Sequence, residues 1–135
     1  MGKHYGLAHQ VILAILNKLA GEPIIEGSAT KDWNTSEQDL VSLGAASTRK
    51  KLHSLIVDIG ALTNTATITI RLYMKVNGTE KKLYEQGFTV GTDPDSCWVV
   101  NGTIGIHDVL RVTCQSDNAA DDGKAIAYTT MLEAM

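Results

Sequence analysis

Residues 67–78, Thr67-Ile68-Thr69-Ile70-Arg71-Leu72-Tyr73-Met74-Lys75-Val76-Asn77-Gly78, decide the fold. Ile68, Ile70, Leu72, Met74 and Val76 alternate with Thr67, Thr69, Arg71, Tyr73 and Lys75. Side chains along a strand point to opposite faces in turn. This rhythm therefore sets one oily face on a core and one polar face in solvent. Asn77-Gly78 is a strong hairpin signal, because both residue types accept the positive φ of a two-residue turn. The chain then returns over residues 80–90 with Phe88 and Val90 inward. A β-hairpin over 67–90 is expected, with a bulge near Gly87.

The period of two continues outward from this hairpin. Leu55, Val57 and Ile59 share one face of a strand over 52–59. Asp93-Pro94-Asp95 makes a turn, Trp98-Val99-Val100 a short strand, and Asn101-Gly102 a second turn. Leu110, Val112 and Cys114 face inward over 109–116. Residues 117–123 form a polar loop, and Ile126, Tyr128, Thr130 and Leu132 share a face of a final strand over 125–133. Strands at this spacing predict an all-β fold, an antiparallel, jelly-roll-like β-sandwich. No helical segments separate the strands, which argues against a parallel α/β sheet.

The N-terminal region has a different period. Leu7, Val11, Ile15 and Leu19 recur every four residues, with Ile12 and Leu16 beside them, and predict a short α-helix over 7–20. Gly21 and Pro23 stop it. Its apolar stripe is wide and needs burial on more than one side. It serves either as an anchor on a partner or as a cover for one end of the sandwich. The chain thus divides into an N-terminal helix or anchor (1–21), a linker or edge segment (22–39) and a sandwich (40–135). Trp33 anchors the turn-rich segment. Leu7, Val11, Ile12, Ile15, Leu19 and Trp33 are the interface candidates.

Composition narrows the function classes. The 135 residues fit one domain, and 44% hydrophobic with 20% charged residues is ordinary for a folded chain. The net charge is −3, and no basic block is longer than Arg49-Lys50-Lys51, so no nucleic-acid partner is expected. The longest apolar run, Val11 to Leu16, is far short of a bilayer span, so no membrane partner is expected. Cys97 and Cys114 allow either one disulfide or two reduced thiols. Cys114, on the apolar side of its strand, behaves as a small hydrophobe, which favours the reduced pair.

A search for reactive constellations returns little. Nucleophile elbows, phosphate loops and dinucleotide fingerprints are absent. His4 and His9 are five apart, which is wrong for two ligands on one helical face, and His53 and His107 stand alone. His107-Asp108 are neighbours whose side chains diverge on a strand. The loop Asp117-Asn118-Ala119-Ala120-Asp121-Asp122-Gly123 has the residue types of a calcium site but neither the ladder nor the closing Glu. No catalytic residue, metal or cofactor is expected, and the chain is read as a non-enzyme. Thr63, Asn64, Thr65, Thr67 and Thr69 form a polar face, with Tyr73 and Tyr84 as the available stacking rings. A carbohydrate-binding or adhesin-type module is therefore the alternative reading.

Leu52-His53-Ser54-Leu55-Ile56-Val57-Asp58-Ile59, followed by Ala66-Thr67-Ile68-Thr69-Ile70-Arg71-Leu72-Tyr73-Met74-Lys75-Val76, resembles small β-sandwich proteins from the structural gene clusters of tailed phages. The closing stretch is similar too: Asp108-Val109-Leu110-Arg111-Val112-Thr113-Cys114-Gln115-Ser116-Asp117-Asn118-Ala119-Ala120-Asp121-Asp122-Gly123. The resemblance spans roughly residues 33–133, with the 7–20 segment outside it. It implies a virion component assembled in the bacterial cytoplasm: a head decoration, head fibre, neck or tail-associated protein. It implies partners that are copies of the chain and other virion proteins, and carries over no catalytic residue.

Overall fold

A computed structural model describes residues 24–31, 33 and 35–135. The segment expected to form a helix over 7–20, with Leu7, Val11, Ile12, Ile15 and Leu19, lies outside the described residues. Eight strands follow in order among those described: β1 (Ile24–Thr30), β2 (Gln38–Leu43), β3 (Lys50–Asp58), β4 (Thr67–Val76), β5 (Thr79–Thr89), β6 (Ser96–Ile106), β7 (Leu110–Ser116) and β8 (Ala125–Ala134). A single 3-10 turn, Ala119–Asp121, interrupts the last connection.

The strands form two four-stranded antiparallel sheets. One runs β1-β8-β3-β6 and the other β2-β7-β4-β5. The pairing is nested: β1 with β8, β2 with β7, β3 with β6, and β4 with β5. The chain is in effect one long hairpin, doubled back at Asn77-Gly78, whose paired arms are laid alternately in the two sheets. Asn77 and Gly78 take φ of 51° and 78°, the left-handed values expected of that turn. The alternation in β4 is realised: Ile68, Ile70, Leu72 and Met74 are buried against Leu43, Leu52, Leu55, Val57, Leu110, Val112 and Ile126 from both sheets.

Several expectations change. The sheets take in Ile24–Thr30 and Gln38–Leu43, so strand pairing begins N-terminal of residue 40, and of the two readings of 22–39, linker or edge segment, the edge strand is the one formed. Gly27 faces the Tyr128 side chain of β8, and a Cβ there would lie 2.8 Å from its hydroxyl. The hairpin bulge falls at Leu83, between the pairs Leu72↔Tyr84 and Tyr73↔Lys82, whereas Gly87 pairs in register with Thr69. Asn101-Gly102 does not reverse the chain. It lies inside the eleven-residue β6, where Gly102 and Thr103 together oppose the single residue His53. Gly102 adopts φ 135°, so the glycine serves a bulge and not a turn.

Candidate interaction surface

The outer faces of the two sheets differ in chemistry. On β2-β7-β4-β5 the outward residues are charged and paired with one another. Arg111 bonds Asp39 and Glu80 at 2.7 Å each, and its guanidinium stacks 4.4 Å from the centre of the Tyr73 ring. Arg71 bonds Glu85 and Gln115. Tyr73 and Thr113 both donate to Glu37. Partial burial pushes the Glu37 carboxyl up, but these two hydroxyls and the guanidiniums of Arg71 and Arg111 outweigh it and hold it below the usual carboxylate range. The Tyr73 ring expected as a stacking platform is thus already covered by Arg111.

The outer face of β1-β8-β3-β6 is sparsely charged. Register places Glu26, Thr129, Ile56 and Trp98 in one row across the four strands. The next row holds Ile24, Met131, Ser54 and Asn101. Trp98 is 58% exposed and Ile24 59%. A small depression lined by Ile56, Asp58, Ser96 and Thr129 lies on this face.

β5 and β6 are the edge strands on the same side of the sandwich, one in each sheet. Between them the sheets gape, leaving an apolar groove of about 500 Å³. Leu72, Met74 and Ile106 line its floor, and Leu83, Tyr84 and Ile104, all substantially exposed, line its mouth. Bulges at Leu83 on β5 and at Gly102-Thr103 on β6 splay the two edges.

Several titratable groups outside these faces are tied into the structure. His53, the β3 residue without a β8 partner, has Nε2 2.7 Å from Glu133 Oε2 and Nδ1 2.8 Å from Thr103 Oγ1. The carboxylate can only accept, so Nε2 carries a proton toward it. The order hydroxyl–imidazole–carboxylate is that of a nucleophile relay. Thr103 lines the groove, whereas His53 and Glu133 do not, and Glu133 is half exposed. His107 bonds the Lys75 carbonyl, while Asp108 accepts from the Ser47 and Val109 amides, so the adjacent pair forms no dyad. Among the described residues there is no cluster of three or more metal-ligating side chains.

The polar loop at 117–123 folds inward through Asp121, which is fully buried. Its carboxylate accepts from the Thr63 amide and hydroxyl and from Ser116. Trp33, one of the interface candidates, is also fully buried in the chain's own core, its indole N–H donating to the Lys124 carbonyl at 3.2 Å. It is held as the segment's anchor and presents no surface to a partner. Cys97 and Cys114 are both free and buried.

Sequence reasoning missed the groove, the His53 cluster and the exposure of Trp98. A tryptophan between valines and a cysteine reads as core. The available signal was the absence of charge from residues 96–106. No family model matches the chain, and no curated protein matches it in sequence.

Proposed function

We propose that this chain is a non-enzymatic building block, a phage virion structural protein of decoration, neck or tail-associated type, that acts through protein–protein contacts in a multi-copy assembly. The observation that carries the reading is the nested pairing of eight strands in two sheets, 1-8-3-6 and 2-7-4-5. That is the winding of a jelly roll, a fold used by viral capsid and lectin domains. Fold alone does not assign a role. The distribution of chemistry supports this one: one sheet face satisfied by its own ion pairs, the other broad and sparsely charged, and an open apolar groove beside it. The resemblance of residues 52–59, 66–76 and 108–123 to phage structural proteins points the same way. Light scattering and electron microscopy of the full chain test it. A defined multi-copy species is expected, and a chain that stays monomeric at every concentration sinks the reading.

A carbohydrate-binding module is the second reading, favoured by Trp98. An exposed indole beside Asp58, Ser96 and Thr129 has the makings of a sugar platform, with a ring to stack on and polar groups to accept hydroxyls. A glycan array with wild type and Trp98→Ala separates the two. Binding lost in the variant favours the module, and no binding by either protein favours the building block.

A further inference from the structure

We propose that β6 is a pairing edge: the side of Ser96–Ile106 that is unpaired among the described residues adds, antiparallel, to β6 of a second copy of this chain, joining two four-stranded sheets into one of eight. The inference rests on the multi-copy reading above and names the surface that would serve it.

An edge strand exposes unpaired backbone donors and acceptors, and folded proteins blunt such edges with charge, bulges or shortness. Among the described residues, three of the four edges carry charge. β1 has seven residues and carries Glu26, and β2 has six, carries Asp39 and is bulged at Leu40. β5 is long but carries Glu80, Lys81, Lys82 and Glu85. β6 is bulged at Val99 and at Gly102-Thr103, but it has eleven residues and none of them is charged. It also shows oily side chains to solvent, Trp98 on the outer face and Ile104, 40% exposed, at the mouth of the groove.

A second copy is the occupant that fits this edge. A twofold axis normal to the sheet brings identical strands together antiparallel, so the patch must be complementary to itself. An uncharged strand meets that condition, since no side chain of β6 faces a like charge on its partner. The same operation on β5 would bring the charges of Glu80, Lys81, Lys82 and Glu85 into the interface. A strand added at β6 lies over the mouth of the groove, taking Ile104, Leu83 and Tyr84 out of water.

The test uses the full chain. Sedimentation equilibrium of wild type is compared with Ile104→Lys, Gly105→Glu and, on the opposite edge of the same sheet, Ser28→Lys. Ile104→Lys sets an ammonium where the monomer can keep it wet but a paired strand would trap it. Gly105→Glu fits the monomer, since an added Cβ meets nothing within 4 Å and Lys51 lies opposite. Both are expected to weaken self-association at least about tenfold, while Ser28→Lys leaves it unchanged. Hydrogen exchange on the wild type reads the same edge without a variant: the amides of 97–106 should gain protection as concentration rises. If wild type assembles and the two β6 variants assemble equally well, or if that protection does not depend on concentration, the pairing edge is wrong while the multi-copy reading stands. A wild type that never self-associates removes both.

Discussion

The Asp121 carboxylate accepts two hydrogen bonds from Thr63, one from its backbone N–H and one from its hydroxyl, each 2.7 Å long. The contact pins the β7–β8 connection to the β3–β4 connection. Ser116 completes the set, and Lys124 stands 3.7 Å away. Burial raises the carboxyl's pKa, but the bonds from Ser116 and Thr63 and the Lys124 charge outweigh it, and the net shift is downward.

Asp121 therefore makes part of the stability pH-dependent. A group whose pKa falls on folding stabilises the native state above its unfolded pKa and loses that contribution as pH drops through the folded value. With an unfolded Asp near about 3.9, the contribution is complete at neutral pH and fades below about pH 4. Asp121→Ala should cost about 2–4 kcal/mol at pH 7, because it leaves the Thr63 amide unpartnered. Urea titrations from pH 7 to pH 2 should show the gap between wild type and variant narrowing at the acid end. A gap independent of pH would mean the carboxylate is not ionised in the native state.

The facing of β4 gives a sharp contrast between neighbours. Ile70 is fully buried, whereas the Arg71 side chain is partly exposed and pairs with Glu85. Ile70→Asp buries an unpaired charge and should abolish folding. Arg71→Gln removes surface ion pairs and should cost about 1 kcal/mol or less. Circular dichroism melts of the two variants decide it, and similar losses from both would overturn the assigned facing.

Thr130 carries the one buried side-chain polar atom without a hydrogen-bond partner among the described residues. It sits on β8 between Ile25 and Leu55. Thr130→Val keeps the shape and deletes the orphan hydroxyl, so it should raise stability by about 1 kcal/mol. A loss on chemical denaturation would show that the hydroxyl is satisfied in solution.

The two thiols should be inert in the native state. Burial pushes the Cys114 thiol up to about 12, and burial with the nearby Asp93, Asp58 and Asp95 carboxylates raises Cys97 as well. The thiolate is the reactive form, so an alkylating reagent at pH 8 should label neither cysteine in native buffer and both in denaturant. Fast native labelling of Cys114 would contradict its place in the core.

Legibility followed side-chain size along each strand. β3, β4, β7 and β8 were readable because their inward positions are large: Leu55 and Val57, Ile68 and Ile70, Leu110 and Val112, Ile126 and Leu132. β1 was not readable as a strand, because its inward positions include Gly27 and Ala29, which give no large apolar signal, and Gly27 faces the Tyr128 side chain. β6 read as a strand fragment and a turn because Asn-Gly signals a reversal locally. Whether it makes a reversal or a bulge depends on the pairing of β3, which lies far away in sequence. The groove was invisible for a related reason, since it is made by two edges that meet through the winding of the chain and not through any motif. The enclosure of Trp33 and Asp121 also depends on long-range contacts, so their residue types suggested an anchor and a loop but not a shared end of the core.

The nested pairing also makes one sheet depend on a single strand. β8 lies between β1 and β3, so those two strands have no hydrogen-bonded neighbour in common until the last ten-residue strand arrives. The other sheet needs no residue beyond Ser116. Without β8 the fold would hold one complete sheet over a split one, its core half open to water. A nascent chain stopped before Ala125 would be no smaller version of the block, but a substrate for proteases.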